Sequence, residues 1–320
     1  MFPIKVENLS YAYGARRALV DVTFSISQGE VFGFLGPNGS GKTTLFKILS
    51  TLIPVNQAAV NILGHELARE SQSVRQYLGV VFQHPSLDLK LTVTENLRHH
   101  GHLYGLRGKT LKQRIQEALN QFELTDRAHE GVETLSGGLR RRAELAKATL
   151  HKPKLLLLDE PSTGLDPGAR RSFREYLASL QETTVILTTH ILDDAEACDR
   201  VGILNAGELV AIGTPDELKD HVGGDVVIVD SPAPEELAPK VSQRFGRTAT
   251  LIEGLLRIEC HNGHEFVRDV VAAFPSEIRS ARFGKPTLED VFIKLTGRRF
   301  EENGSSQNSV ELKSSHTETH

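Results

Sequence analysis

Eight consecutive residues, Gly36-Pro37-Asn38-Gly39-Ser40-Gly41-Lys42-Thr43, constrain this chain more than any other stretch. They fit G-x-x-x-x-G-K-[ST], and the context is right for it. A strand-like run, Val31 to Leu35, precedes them, and a helix is expected from about Thr44 to Leu52, stopped by Pro54. Glycines there let backbone N–H groups turn inward around phosphate oxygens, and the helix behind adds the positive end of its dipole. Lys42 is then placed to reach the β- and γ-phosphates, and the Thr43 hydroxyl to reach Mg²⁺. With Thr44 opening the helix, Gly36 to Thr44 form the expected phosphate-binding set. The plainer reading is a glycine-rich turn, and the flanking strand and helix argue against it.

A second element follows downstream. Leu155 to Leu158 is an unbroken apolar run that ends in Asp159-Glu160, as expected of a parallel strand buried on both faces. Open α/β sheets bind ligands at the carboxyl ends of such strands. Adjacent strand residues point opposite ways, so the two acids should not share one task. Asp159 is expected to hold Mg²⁺ through water, and Glu160 to polarise the attacking water as general base. Two surface acids closing a strand is the plainer alternative, weakened by the cradle upstream.

The rest of the chain fits around these. Ile4 to Leu9, Leu19 to Ile26, Gly79 to Phe82, Val185 to Thr188 and Val201 to Leu204 read as strands. Leu111, Ile115, Ala118, Leu119 and Phe122 form one apolar helical stripe, and Leu139, Ala143, Ala146 and Leu150 another. Strands alternating with helices predict an α/β fold. Thr214-Pro215-Asp216-Glu217 reads as a capping box. The texture changes near Gly223-Gly224. From Val226 the order strand, helix, strand, strand, helix, strand, with a last helix at about Leu288 to Leu295, predicts a small ferredoxin-like unit. The expected organisation is a nucleotide-binding domain over residues 1–220, an accessory domain over 225–300 and a disordered tail over 301–320, whose only aliphatic residues are Val310 and Leu312.

Composition excludes some classes. The formal charge of -4 provides no general basic field for nucleic acid. No stretch approaches the roughly 20 apolar residues that cross a bilayer, so no direct membrane insertion is expected. Cys198 and Cys260 stand far apart, which fits a reduced cytosolic setting. His99, His100 and His102 read as an exposed helix face rather than a metal site. Arg140-Arg141-Arg142 reads as a solvated face that adds positive potential beside a bound nucleotide.

Leu135-Ser136-Gly137-Gly138-Leu139, just before a helix, narrows the class. A serine and two glycines at a helix N-terminus make a second anion site. A nucleotide that already has one cradle needs a second only if two subunits share it. Here the chain resembles the ATP-binding-cassette family over about residues 4 to 220. The resemblance implies a P-loop cassette with a RecA-like core, an antiparallel β subdomain and a helical subdomain. It implies ATP and Mg²⁺ as cofactors and ATP hydrolysis as the activity. Tyr13 matches the aromatic that stacks on adenine; Tyr11 competes for that role, and Gly14 and the spacing favour Tyr13. Gln83 matches the glutamine that senses Mg²⁺ and couples to the membrane partner. Ser136, Gly137 and Gly138 match the signature that touches ATP from the second subunit, although Leu139 stands where the commonest signature has glutamine. Ser162 to Asp166 match the loop after the carboxylates, with Asp166 near the nucleotide, and His190 matches the switch histidine on the γ-phosphate.

Pro286-Thr287-Leu288-Glu289-Asp290-Val291-Phe292, with Leu87-Asp88, Leu91 to Leu97 and Leu103 to Leu106, is similar to the branch that serves drug, antibiotic and polymer exporters. That implies a homodimer, or a pair with a closely related cassette subunit, docked on a separately encoded transmembrane permease at the inner face of the cell membrane. A soluble regulatory or translation-associated cassette ATPase is the alternative. Such relatives usually carry two cassettes or a long coiled-coil insertion, and neither is present here. A small-molecule kinase has no use for the Leu135 to Leu139 element.

Overall fold

A computed structural model describes residues 3–55, 59–180, 182–298 and 300. The segment read as a disordered tail lies outside the described residues. The chain opens with β1 (Ile4–Tyr13), β2 (Arg16–Ile26), β3 (Val31–Leu35), α1 (Lys42–Leu49), β4 (Val60–Ile62), β5 (His65–Glu66), α2 (Leu67–Arg75) and β6 (Leu78–Val81). Three helices follow, α3 (Val93–Leu103), α4 (Gly108–Gln121) and α5 (Gly137–Thr149). Next come β7 (Leu155–Asp159), α6 (Pro167–Ser179), β8 (Thr184–Thr189), α7 (Leu192–Glu196), β9 (Arg200–Asn205), β10 (Glu208–Gly213) and α8 (Pro215–Asp220). The last part holds β11 (Asp225–Asp230), α9 (Pro234–Phe245), β12 (Ala249–Ile252), β13 (Leu255–Cys260), α10 (Gly263–Ala273), β14 (Ser280–Gly284) and α11 (Leu288–Thr296).

The central sheet has the order β10-β9-β3-β8-β7-β6. Its internal pairs are parallel, and only β10 runs antiparallel at the edge. The apolar runs fall here because both faces are covered. Leu155 and Leu157 enter one core with Phe32, Phe34 and Ile186. Leu156 and Leu158 enter the other with Val31, Leu35, Val185 and Leu187. The two-residue period of a strand thus sends alternate side chains to opposite cores. All four leucines are fully buried, each contributing roughly 2 kcal/mol of transfer free energy.

The first core also carries α1 and the antiparallel sheet β2-β1-β4-β5. The second carries the helical layer α3 to α6. Thr92 starts α3 with a reciprocal capping box to Glu95, a strong local start signal. The helix differs from its reading as an exposed face at His100. That ring is half-buried, with its centroid 5.0 Å from Tyr104 and 5.9 Å from His151, and burial pushes its pKa down to about 4. Apolar packing, not solvent, takes that side of the helix.

The register of the central sheet sets the site. Leu35 lies opposite Thr189, and Asp159 lies opposite Thr188. The ends of β3 and β7 therefore open at one edge, with the end of β8 between them.

Beyond Gly223-Gly224 the sheet order is β12-β13-β11-β14, antiparallel throughout. Gly224 is required: its φ is 134°, and a Cβ there would meet the Cys260 carbonyl at 2.5 Å. One face of the sheet, with Val227, Val229, Leu256 and Ile258, packs on Leu237 and Val241 of α9 and on Phe266 and Val270 of α10. Helix α11 covers residues on the other face and packs by Leu288, Val291 and Phe292 into the core shared with Leu218 and Val222. The Pro286 to Asp290 segment now has a physical reading. Thr287 caps α11, its amide and hydroxyl donate to Asp290 Oδ2 at 2.7 and 2.8 Å, and the buried Arg257 guanidinium pairs with Asp290 Oδ1. Lys294 adds a 2.6 Å pair with Glu259. Helix α11 is thus bolted to the small sheet by charge and to the cassette by apolar contact.

Breaking the buried pair should cost more than losing the cap. Asp290→Asn strands the Arg257 charge and should lower stability by about 3 kcal/mol in urea unfolding. Thr287→Ala should cost about 1 kcal/mol. An Asp290→Asn protein as stable as the wild type contradicts this assignment.

Candidate functional site

The loop from Gly36 to Gly41 joins the end of β3 to the start of α1, which opens with Lys42 and Thr43. Two glycines are fixed by close approach: a Cβ on Gly36 would meet the Leu204 carbonyl at 2.4 Å, and one on Gly41 would meet the Ala18 carbonyl at 2.7 Å. No side chain caps α1, and its first turn carries no acid. The amides at that end are left for an anion. Lys42 is 4% exposed, and its ammonium donates to the Gly36 and Pro37 carbonyls at 2.6 and 3.0 Å. Burial lowers its pKa, while Glu160 and Asp159 pull it back up.

A cavity of about 310 Å³ opens beside the loop, lined among others by Tyr13, Asn38, Gly39 and Gly41 to Thr44. Arg16, Arg17 and Lys47 line it too, so cations surround it. The Tyr13 ring is half-exposed and meets Tyr11 edge-on at 5.1 Å. Tyr11 instead leans on the core, so Tyr13 is the tyrosine at the cavity. Ser40 and Thr44 are buried in the loop and in the first turn of α1.

Three adjacent strands of the sheet deliver the remaining polar groups. Gln83 follows β6, Glu160 follows β7 and His190 follows β8. Asp159 is buried, and its Oδ1 accepts the Thr188 hydroxyl. Burial raises its pKa, and Glu160 beside it adds to the rise. Glu160 leaves the strand at φ 46° with its amide bonded to the Thr188 carbonyl at 3.1 Å. Its Oε1 lies 3.2 Å from His190 Nδ1, and its Oε2 accepts from Gln83 Nε2 at 3.2 Å. The His190 contact chiefly holds the Glu160 carboxyl below its ordinary pKa. The two acids therefore do sit in different environments, one tied to β8 and one to the loop side chains.

The oxygens of Thr43, Asp159 and Gln83 are hard donors of the kind Mg²⁺ takes. Among the described residues no three His, Cys, Asp or Glu side chains gather as a metal cage.

Other expected residues stand elsewhere. Asp166 caps α6, accepting from the Gly168 and Ala169 amides at 3.0 Å each. Ser136 caps α5, accepting from the Leu139 amide at 3.4 Å. A Cβ on Gly137 or Gly138 would meet nothing within 4 Å, so this helix start is open. None of Ser136, Gly137 and Gly138 lines the Lys42 cavity; Gly138 borders a separate cavity of about 260 Å³ between α5 and α6.

The arginine run is not the solvated face expected of it. All three side chains are half-buried and engaged. Arg140 donates to the Val132 and Glu133 carbonyls, Arg142 pairs with Glu123, and Arg141 donates to the carbonyls of Phe82, Asp159 and Pro161. Glu144 is a further residue that sequence reasoning passed over. It is 2% exposed and accepts from the Leu87 amide at 2.9 Å, the Ser86 hydroxyl at 2.9 Å and the Ser86 amide, with Lys147 at 3.2 Å. Its signal was an acid inside the apolar stretch Ala143 to Ala146.

Comparison with known proteins identifies the family. A family model described as ABC transporter matches residues 19–163. The linearmycin resistance ATP-binding protein LnrL of Bacillus subtilis (strain 168) is 37% identical over 306 residues, covering 92% of this chain and 98% of that protein. The daunorubicin resistance ATP-binding protein DrrA3 of Streptomyces coeruleorubidus is 37% identical over 302 residues, covering 92% and 96%. The Nod factor export ATP-binding protein I of Rhizobium leguminosarum bv. viciae is 36% identical over 303 residues, covering 93% and 96%. Among solved structures, an ATP-binding subunit of an ABC transporter aligns with TM-score 0.63 and 32% identity over 70% of this chain and 94% of that one. A dimeric ATP-binding cassette in a post-hydrolysis state, bound to ADP and Pi, aligns with TM-score 0.61 and 28% identity over 66% and 98%. The chain belongs to the ABC transporter family, as its ATP-binding and ATP-hydrolysing component.

Proposed function

We propose that this ATPase drives export through a separately encoded transmembrane permease, and that it works there as a dimer. The cargo class is that of its relatives: a drug, an antibiotic, or a lipid-like or polymeric product. The observation that carries the reading is a separation. Gln83, Glu160 and His190 converge at the strand ends, with Lys42 near enough to Glu160 and Asp159 to feel both charges. The open Ser136 to Gly138 helix start does not line that cradle's cavity, and its Gly138 borders a different one. Two copies facing head to tail bring one chain's helix start to the other's cradle.

In that arrangement Tyr13 stacks on adenine, and the Gly36 to Thr43 amides with Lys42 hold the phosphates. Thr43, Asp159 (through water) and Gln83 would hold Mg²⁺, which would supply charge neutralisation on the phosphate oxygens. Glu160, ionised and oriented by Gln83 and His190, takes the proton of the attacking water. His190 turns to the γ-phosphate as the dimer closes, and Asp166 lies beside the shared site. The segment after Gln83 passes the change to the permease, since an element that differs between states is what transmits coupling. Residues 225–300 form a ferredoxin-like accessory domain. The assembly sits at the cytoplasmic face of the membrane. Among the described residues no helix is long and apolar enough to cross a bilayer.

Lys42→Ala should weaken ATP binding by about tenfold to a hundredfold, the loss of charge-assisted hydrogen bonds; equilibrium dialysis with ATP checks it, and unchanged affinity refutes the cradle. Glu160→Gln should lower kcat by about a hundredfold or more and should elute as a dimer with ATP and Mg²⁺ in gel filtration. A persistent monomer counts against the shared site. Co-purification with a membrane protein, and ATPase stimulation by it rather than by RNA, would separate the export reading from a soluble regulatory one.

A further inference from the structure

We propose that Arg141 is a positioning residue that fixes Gln83 and Glu160 from the helix carrying Ser136. Its guanidinium makes three hydrogen bonds, each to a main-chain carbonyl. Nη1 donates to Phe82 O at 2.8 Å, Nη2 to Asp159 O at 3.1 Å and Nε to Pro161 O at 2.7 Å. The Phe82 carbonyl belongs to the peptide that leads into Gln83. The Asp159 carbonyl belongs to the peptide that leads into Glu160, and Pro161 follows Glu160 directly. One planar group therefore holds the backbone around both side chains that meet at Glu160 Oε2.

The geometry is specific to arginine. Three acceptors on two segments of chain match a rigid fork of N–H donors, and a lysine ammonium is a single point on a flexible stem. Its position on α5 adds a consequence. Arg141 lies five residues after Ser136, about 7.5 Å along the helix at 1.5 Å per residue. Glu144, nearly one turn further on, holds the Ser86 and Leu87 amides. A single rigid helix thus starts at the residues offered to the second copy and grips the chain on either side of Gln83. Movement of α5 when Ser136 meets the partner's nucleotide is transmitted to the attacking-water site of its own chain. This rests on the reading of Gln83, Glu160 and Ser136 given above.

The test compares Arg141→Ala, Arg141→Lys, Arg142→Ala and Glu160→Gln in the full chain, by steady-state ATPase assay and by ATP binding at equilibrium. Arg141→Ala should lose about tenfold to a hundredfold in kcat, the scale expected when reacting groups are misplaced by about an ångström. Its affinity for ATP should stay within about threefold, since the Lys42 cradle is untouched. Arg141→Lys should recover part of kcat, and millimolar guanidinium ion should restore part of the activity of Arg141→Ala. Arg142→Ala loses only the pairing with Glu123 and should keep kcat within about twofold. A wild-type kcat in Arg141→Ala, or a loss of ATP affinity in proportion to kcat, overturns the proposal. If Arg141→Ala fails to fold, the same kcat-against-affinity split in Arg141→Lys decides. An inactive Glu160→Gln beside a fully active Arg141→Ala sinks this inference alone; an active Glu160→Gln removes the general base and this inference together.

Discussion

A buried ammonium needs an anion, and the site depends on that requirement. Lys42 is almost fully enclosed, and its ammonium donates to two backbone carbonyls of the preceding loop. Those carbonyls carry only partial charge. Desolvation disfavours the charged form, and Asp159 and Glu160 offset part of that cost from a distance. The uncapped start of α1 adds further unsatisfied donors at the same place. A polyphosphate answers both demands at once, which is why the loop is held open by glycines rather than filled by side chains.

The sheet turns this local demand into a catalytic arrangement. Because β3, β8, β7 and β6 are neighbours in register, residues one or two beyond their ends arrive together without any long-range loop. Helix α5 then ties those ends to the molecule's outer surface through Arg141 and Glu144. Helix α11 does similar work at the other end of the chain, tied to the small antiparallel sheet through Arg257 and Asp290 and to the cassette through Leu288, Val291 and Phe292. The sequence boundary near Gly223-Gly224 is a change of architecture, and the apolar core runs across it from Leu218 and Val222 to Phe292.

Legibility followed periodicity and chemistry. The Val31 to Leu35 strand, the Leu155 to Leu158 run and the Thr214 capping box were readable because each is a local rule expressed in adjacent residues. The cradle was readable because its glycines, lysine and threonine stand at fixed spacing between a strand and a helix. What stayed hidden depends on pairs distant in the chain. Nothing local says that Arg141 reaches Phe82, 59 residues away, or that Arg257 meets Asp290, 33 residues away. The arginine run looked like a solvated face because three adjacent cations normally are one. Helix α6 was missed because its apolar contacts are few, chiefly Phe173 and Leu177, and its start is set by Asp166 rather than by a long stripe.

The central claim is that two copies enclose each nucleotide, one through the Lys42 loop and the other through the open helix start at Ser136. The most direct measurement is the structure of the Glu160→Gln protein loaded with ATP and Mg²⁺. The claim predicts the γ-phosphate within hydrogen-bonding distance, about 3 Å, of Lys42 from one copy and of the Ser136 hydroxyl from its neighbour. A γ-phosphate enclosed by a single copy, with no Ser136 from a second chain in contact, would contradict it.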